Sequence, residues 1–212
     1  MDINKLSEPL DVSYLEFRVQ SVNKGGYATL LVYKDARVDM QRLDLAVGPL
    51  NWKREHVGDN RNCIVSIWCE DKKQWVSKED TGNESNSDAA KGLASDSFKR
   101  ACFNWGIGRE LYEYPVISVK LLDSEINAQT KKPSWGFKLK EWSWSVEFKS
   151  GAVSFLQGKD QSGAVRYSFG RSSKPSDVDL LWIQAIKDGK ETLDTLEKQS
   201  DVNYRNHIQS LL

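Results

Sequence analysis

The sequence predicts an α+β fold: an antiparallel hairpin and meander with helices laid on one sheet, then a C-terminal β-meander and a helical tail. Three observations predict it. Apolar and polar residues alternate with a period of two in several short runs, the signature of half-buried strands. The runs are joined by turn chemistry a few residues long, which favours antiparallel neighbours. Between them lie stretches of helical period, the strongest running from Ser87 to Tyr112 as SDAAKGLASDSFKRACFNWGIGRELY.

Taken in order, residues 1–11 form an unanchored lead-in. Leu15, Phe17 and Val19 alternate with Tyr14, Glu16 and Arg18, and Asn23-Lys24-Gly25-Gly26 turns this strand back into a second one, Tyr27 to Tyr33. Arg37 to Val47 reads as a short helix closed by Gly48-Pro49. Three strands are expected next, Trp52–Val57, Cys63–Cys69 and Gln74–Glu79, linked through Asp59-Asn60 and Asp71-Lys72-Lys73. The polar loop Thr81–Asp88 then offers Ser87 or Asp88 as an N-cap. In the helix that follows, Ala90, Ala94, Phe98, Ala101, Cys102 and Trp105 share one apolar side. Asp96, Lys99, Arg100 and Phe103 fall on the opposite face, and Gly106-Ile107-Gly108 ends the helix.

Beyond Tyr114-Pro115, Val116–Leu121 reads as a strand and Asp123–Lys132 as a polar linker. Trp142, Trp144, Val146 and Phe148 share one face of a strand and are expected in a core rather than on a ligand platform; Trp135 is less constrained. Ser150-Gly151 and Ser162-Gly163 separate the strands Ala152–Gln157 and Val165–Phe169. A connector, Arg171–Asp177, leads to a helix broken at Asp188-Gly189 and a final helix, Val202–Leu212. The expected organisation is a core over 1–115 and an extension over 116–212, β-rich in 116–170 and helical in 177–212.

Composition narrows the function. The chain of 212 residues is 39% hydrophobic and 28% charged with formal net charge zero, ordinary for a soluble globular protein. No apolar run approaches the roughly 20 residues of a membrane span, and MDINKLSEPLDV has neither a basic leader nor an apolar signal core, so a cytoplasmic protein with no membrane partner is expected. Charge is unevenly spread: residues 111–176 carry 10 Lys/Arg against 6 Asp/Glu, and residues 177–212 carry 4 against 7. A nucleic-acid surface would therefore be a local patch. Cys63, Cys69 and Cys102 read as buried reduced thiols, no CxxC occurs, and His56 and His207 lie far apart, so no metal site is expected. Nucleotide-binding loops and nucleophile triads have no supporting pattern, and no cofactor is expected. The one enzymatic alternative is a metal-dependent nuclease built on Glu147-Phe148-Lys149 with Asp123 as a second carboxylate. Lys99 and Arg100 beside the Phe103 ring suit a phosphate chain with stackable bases, although composition alone favours a solvated helix face.

Leu15-Glu16-Phe17-Arg18-Val19-Gln20, Tyr33 leading into the first helix, and Gly48-Pro49-Leu50-Asn51-Trp52 resemble the opening of Sak-type phage single-strand annealing proteins, relatives of the eukaryotic recombination mediator Rad-fifty-two. A second block is similar too. It comprises Lys78-Glu79-Asp80-Thr81-Gly82, a polar loop, Lys91-Gly92-Leu93-Ala94-Ser95-Asp96-Ser97-Phe98-Lys99-Arg100-Ala101, and Trp105-Gly106-Ile107-Gly108-Arg109. The similarity covers roughly residues 12–115. It implies a non-enzymatic, ATP-independent protein of recombination and repair that forms homo-oligomeric rings or helical filaments and anneals single-stranded DNA in a basic groove. Carried onto this sequence, the groove residues are Lys99, Arg100, Arg18 and Tyr33, with Lys91, Arg109 and Phe103 as further candidates; Phe103 stands where the eukaryotic relative has an arginine. A single-stranded-DNA-binding protein is a further implied partner, and the host cytoplasm the implied location. A third alternative is a DNA-indifferent adaptor whose Trp-rich half binds proteins.

Overall fold

The computed structural model describes residues 2–83 and 89–212, apart from the side chains of Ala89, Ala90, Lys91 and Gln199. The α+β class is as expected, with three antiparallel sheets of three strands each. The hairpin pairs β1 (Leu15–Val22) with β2 (Tyr27–Lys34), placing Glu16 opposite Tyr33 and Arg18 opposite Leu31. Asp35 caps α1 (Ala36–Val47) by accepting from the Arg37 amide, and the helix stops at Gly48, whose φ of +87° a side chain would resist. The meander β3 (Trp52–Val57), β4 (Asn62–Cys69) and β5 (Gln74–Thr81) follows the expected order.

Across this meander lies α2 (Ala89–Asn104). Its apolar side places Phe98, Ala101 and Cys102 against Cys63, Val65 and Ile67 of β4, with Leu43, Ala46 and Val47 of α1 completing the cluster. Trp105 closes the end of the helix by donating its indole N–H to the Val65 carbonyl at 3.0 Å. Ser87 and Asp88, the expected caps, lie outside the described residues. At the far end, Gly106 and Gly108 take positive φ, turning the chain so that Ile107 is fully buried and its amide returns to the Cys102 carbonyl at 3.2 Å.

Several expectations are corrected. Residues 1–11 are anchored: Leu6 is buried in the same cluster as Phe98 and Cys102, and the Leu10 amide donates to Glu110 Oε1 at 2.7 Å. The hairpin and the meander do not share a sheet: β6 (Ile117–Lys120) joins β2 instead, giving the order β1-β2-β6. Local turn chemistry reveals which strand comes next in the chain, not which strand completes an edge from far away. Nor does the chain divide at residue 115. One compact unit runs through Gly170 and a second spans Arg171–Leu212. The third sheet, β7 (Ser143–Lys149), β8 (Ala152–Lys159) and β9 (Val165–Gly170), shares its core with the first. Ala28, Leu30, Ile117 and Val119 meet Trp142, Val153 and Leu156 there. Phe17 stacks on Trp144 with ring centroids 3.8 Å apart and planes 3° from parallel. The face of Trp142, Trp144, Val146 and Phe148 is therefore core, as its spacing predicts.

The polar stretch after β6 is also more than a linker. Glu125 is buried and accepts two hydrogen bonds from the Arg166 guanidinium, at 3.0 and 2.8 Å. Of the three free thiols, Cys63 and Cys102 are buried but Cys69, the last residue of β4, only half so.

The second unit comprises α3 (Asp177–Lys187), α4 (Leu193–Gln199) and α5 (Val202–Leu211) around Ile183, Leu196 and Ile208. Asp179 gathers this unit's polar contacts: the Ser176 amide donates to it at 2.7 Å, the Tyr204 hydroxyl at 2.6 Å, and His207 Nε2 lies 3.3 Å away. No described helix is long and apolar enough to cross a membrane.

Candidate nucleic-acid interface

The anchoring of α2 decides which of its side chains remain available. With Phe98, Ala101 and Cys102 committed to the meander, Lys99 and Arg100 stand half-buried on the other side. Their surroundings differ. Arg100 Nε lies 3.3 Å from Asp80 Oδ1, at the end of β5. Asp80 is itself held by the Thr81 amide at 2.7 Å and by Asn104 Nδ2 at 3.3 Å. Lys99 has no ion pair among the described residues; its charge is felt by Asp39 below the helix.

Gly82 explains why β5 can end so close to this face. A Cβ there would stand 2.6 Å from the Ser97 nitrogen and 2.8 Å from the Leu93 oxygen. Asn83 continues the contact by donating its amide to Asp96 Oδ2 at 2.9 Å. The run Asp80-Thr81-Gly82 thus has a local physical role: it seats the strand end on the helix and fixes Arg100.

Arg109 serves the helix terminus. Its Nε donates to the Phe103 carbonyl at 2.7 Å and its Nη2 to the Asn104 carbonyl at 2.9 Å, while Lys78 Nζ reaches the same Asn104 carbonyl at 2.6 Å. Two cations there satisfy orphan carbonyls and oppose the negative end of the helix dipole. The Lys91 side chain lies outside the described residues.

A second cationic group sits on the outward face of the hairpin. Arg18 is exposed and its guanidinium carbon lies 4.8 Å from the centroid of the Tyr33 ring. The Tyr33 hydroxyl donates to Glu16 Oε2, and this bond, with partial burial, holds the phenol above its usual pKa. Arg18 itself has no ion pair among the described residues, and its ring contact leaves the N–H groups free to approach phosphates.

Phe103 faces its own chain rather than open solvent. Its ring meets Tyr112 edge-on with centroids 5.4 Å apart, and Lys34 Nζ lies 4.6 Å from its centroid. Lys34 is the residue that sequence reasoning missed. It ends β2, is almost wholly buried, and ion-pairs with the equally buried Asp39 of α1. Burial pushes the Asp39 carboxyl above its usual range against the pull of Lys34 and, more weakly, Lys99. Lys99 and Arg100 are thus carried by α2 and Arg109 by the turn that follows it, Arg18 and Tyr33 lie on the hairpin, and the Lys34–Phe103 contact joins the hairpin to the helix.

For the nuclease alternative, Glu147 lies in β7 beside a register shift and Asp123 in a short turn after β6. Among the described residues, no group of three or more His, Cys, Asp or Glu side chains is placed to hold a metal ion. In comparisons with known proteins, the chain matches no protein-family model, no curated protein and no solved structure.

Proposed function

We propose that this chain binds single-stranded DNA and anneals complementary strands without ATP, acting as an assembly of its own copies in the cytoplasm, as phage-type annealing proteins do. The observation that carries the reading is Lys99: a half-buried cation without an ion pair among the described residues, beside Arg100 on a helix face whose opposite side is fixed to the meander. The order and spacing of the Sak-like motifs support the same reading. Annealing requires no bond chemistry. Cations neutralise two phosphate backbones, contacts to phosphate and sugar leave base edges available, and an assembly aligns many nucleotides at once.

The test mixes labelled complementary oligonucleotides with and without protein, omitting ATP and metal, and measures particle size by light scattering. Faster annealing by a large assembly is the expected result; a monomer with no effect on annealing overturns the reading. Lys99→Ala is the cleaner site variant, since it breaks no ion pair among the described residues, whereas Arg100→Ala removes the ion pair with Asp80. The Lys99 variant should bind every sequence more weakly, with a salt slope shallower by about 0.7 if one phosphate contact is lost. Magnesium-dependent fragments that vanish in Glu147→Ala would instead favour the nuclease.

A further inference from the structure

Trp135 is the most exposed large hydrophobic side chain of the described residues, at 100% of its accessible surface. Its backbone is nonetheless fixed. On one side, Ser134 donates its amide to the Glu125 carbonyl at 2.8 Å and its hydroxyl to the Ser124 carbonyl at 2.7 Å. On the other, the Gly136 amide returns to Ser134 Oγ at 3.1 Å and the Phe137 amide to the Ser134 carbonyl at 3.1 Å. Gly136 passes so near that a Cβ would stand 2.6 Å from the Ser124 oxygen. Behind this lies the buried Glu125–Arg166 pair. The loop thus holds an indole out in water on a frame already ordered, the arrangement of a stacking platform that needs little further ordering when a ring arrives.

Trp135 borders a groove of about 700 Å³ between β1 and the 127–141 segment. Its apolar lining includes Phe17, Val19 and Phe137, and its rim carries Arg18, Lys138 and Lys140. Residues 127–141 contain four lysines and one glutamate, a surplus of three positive charges. The glutamate, Glu141, pairs with Lys138 at 3.3 Å, which leaves Arg18 and Lys140 without an ion pair among the described residues. An exposed aromatic ring on a cationic rim complements a polyanion whose units carry π faces, and a single strand offers both.

We propose that this groove is a second part of the single-strand path, in which Trp135 stacks on a base while Lys140, Lys138 and Arg18 contact the flanking phosphates. This rests on the single-strand reading above and extends it past the hairpin through Arg18. The site is sequence-tolerant, since every base presents a face to stack on.

The test compares binding of oligothymidylate and of an equally long abasic oligonucleotide to the full chain, by fluorescence anisotropy across a salt series. Trp135→Ala should weaken oligothymidylate binding about five- to a hundredfold, leave the abasic strand unaffected and keep the salt slope; Trp135→Phe should retain most of the affinity. Lys138→Ala with Lys140→Ala should weaken both strands and lower the salt slope by about 1.4. Because Trp135 has no buried contacts to lose, its variants should melt at the wild-type temperature. Unchanged oligothymidylate binding in Trp135→Ala, while Lys99→Ala binds weakly, overturns the groove and leaves the annealing reading standing. Equal losses on both strands, or a change in assembly size at constant affinity, overturn the groove in favour of a protein contact. Failure of the wild type to bind either strand at low salt overturns both readings.

Discussion

At the scale of single residues, Lys34 and Phe103 show how context redirects a side chain. A lysine closing a strand and a phenylalanine on the polar side of a helix both read as surface groups. The turn at Gly106-Ile107-Gly108 brings Tyr112 back onto Phe103, and Lys34 finds its ion pair with Asp39, five residues along the chain but in the next element. Neither contact leaves a local periodic trace. The apolar stripe of α2 does leave one, which is why Phe98, Ala101 and Cys102 could be assigned to the core from spacing alone. The thiols give a direct check of burial. Burial raises the Cys63 thiol to about 11, and burial together with the neighbouring Asp39 raises Cys102 well above its usual value. Cys69 should therefore be alkylated first by iodoacetamide at pH 8, with Cys63 and Cys102 modified only after unfolding, as peptide mass spectrometry would report.

At the scale of elements, two contacts set the positions of the candidate sites. Gly82→Ala places a methyl group against backbone atoms of α2 and should cost about 2–3 kcal/mol, read as a lower denaturation midpoint; a midpoint equal to wild type would show that the strand end can withdraw from the helix. Arg166→Ala strands the buried Glu125 and removes the support of the 122–137 segment, at an expected cost of about 3–5 kcal/mol, detectable in the same melt. Most elements were legible in the sequence because each combines a period with a stop: Gly48 after α1, Ser150-Gly151 between β7 and β8, and Gly189 after α3 all take positive φ. The 123–132 segment was not legible as an anchored one. Its single buried carboxylate sits in a polar run, and its partner lies 41 residues away.

At the scale of the whole molecule, the second compact unit, Arg171–Leu212, carries an acid-sensitive carboxylate. Burial alone would raise Asp179, but hydrogen bonds from Tyr204, Ser176 and His207 outweigh it and bring the carboxyl from 3.8 down to about 2. A depressed folded value means that the stabilisation is present above pH 3.8 and disappears as the pH falls toward 2. The helical unit should lose about 2 kcal/mol over that interval, visible as a loss of helical circular dichroism that Asp179→Asn flattens. The domain boundary could not be read from composition, because a change from helix-bearing to Trp-rich sequence at residue 115 resembles a boundary, whereas the core runs across it. That shared core bears on synthesis. Tyr27 pairs with Lys120, so β2 waits for a partner translated more than ninety residues later. Until it arrives, the inner face of Ala28 and Leu30 ends in an open strand edge, and closure of so long a loop is slow. A nascent chain stalled near residue 115 would carry that edge unfilled, and a second such chain could occupy it.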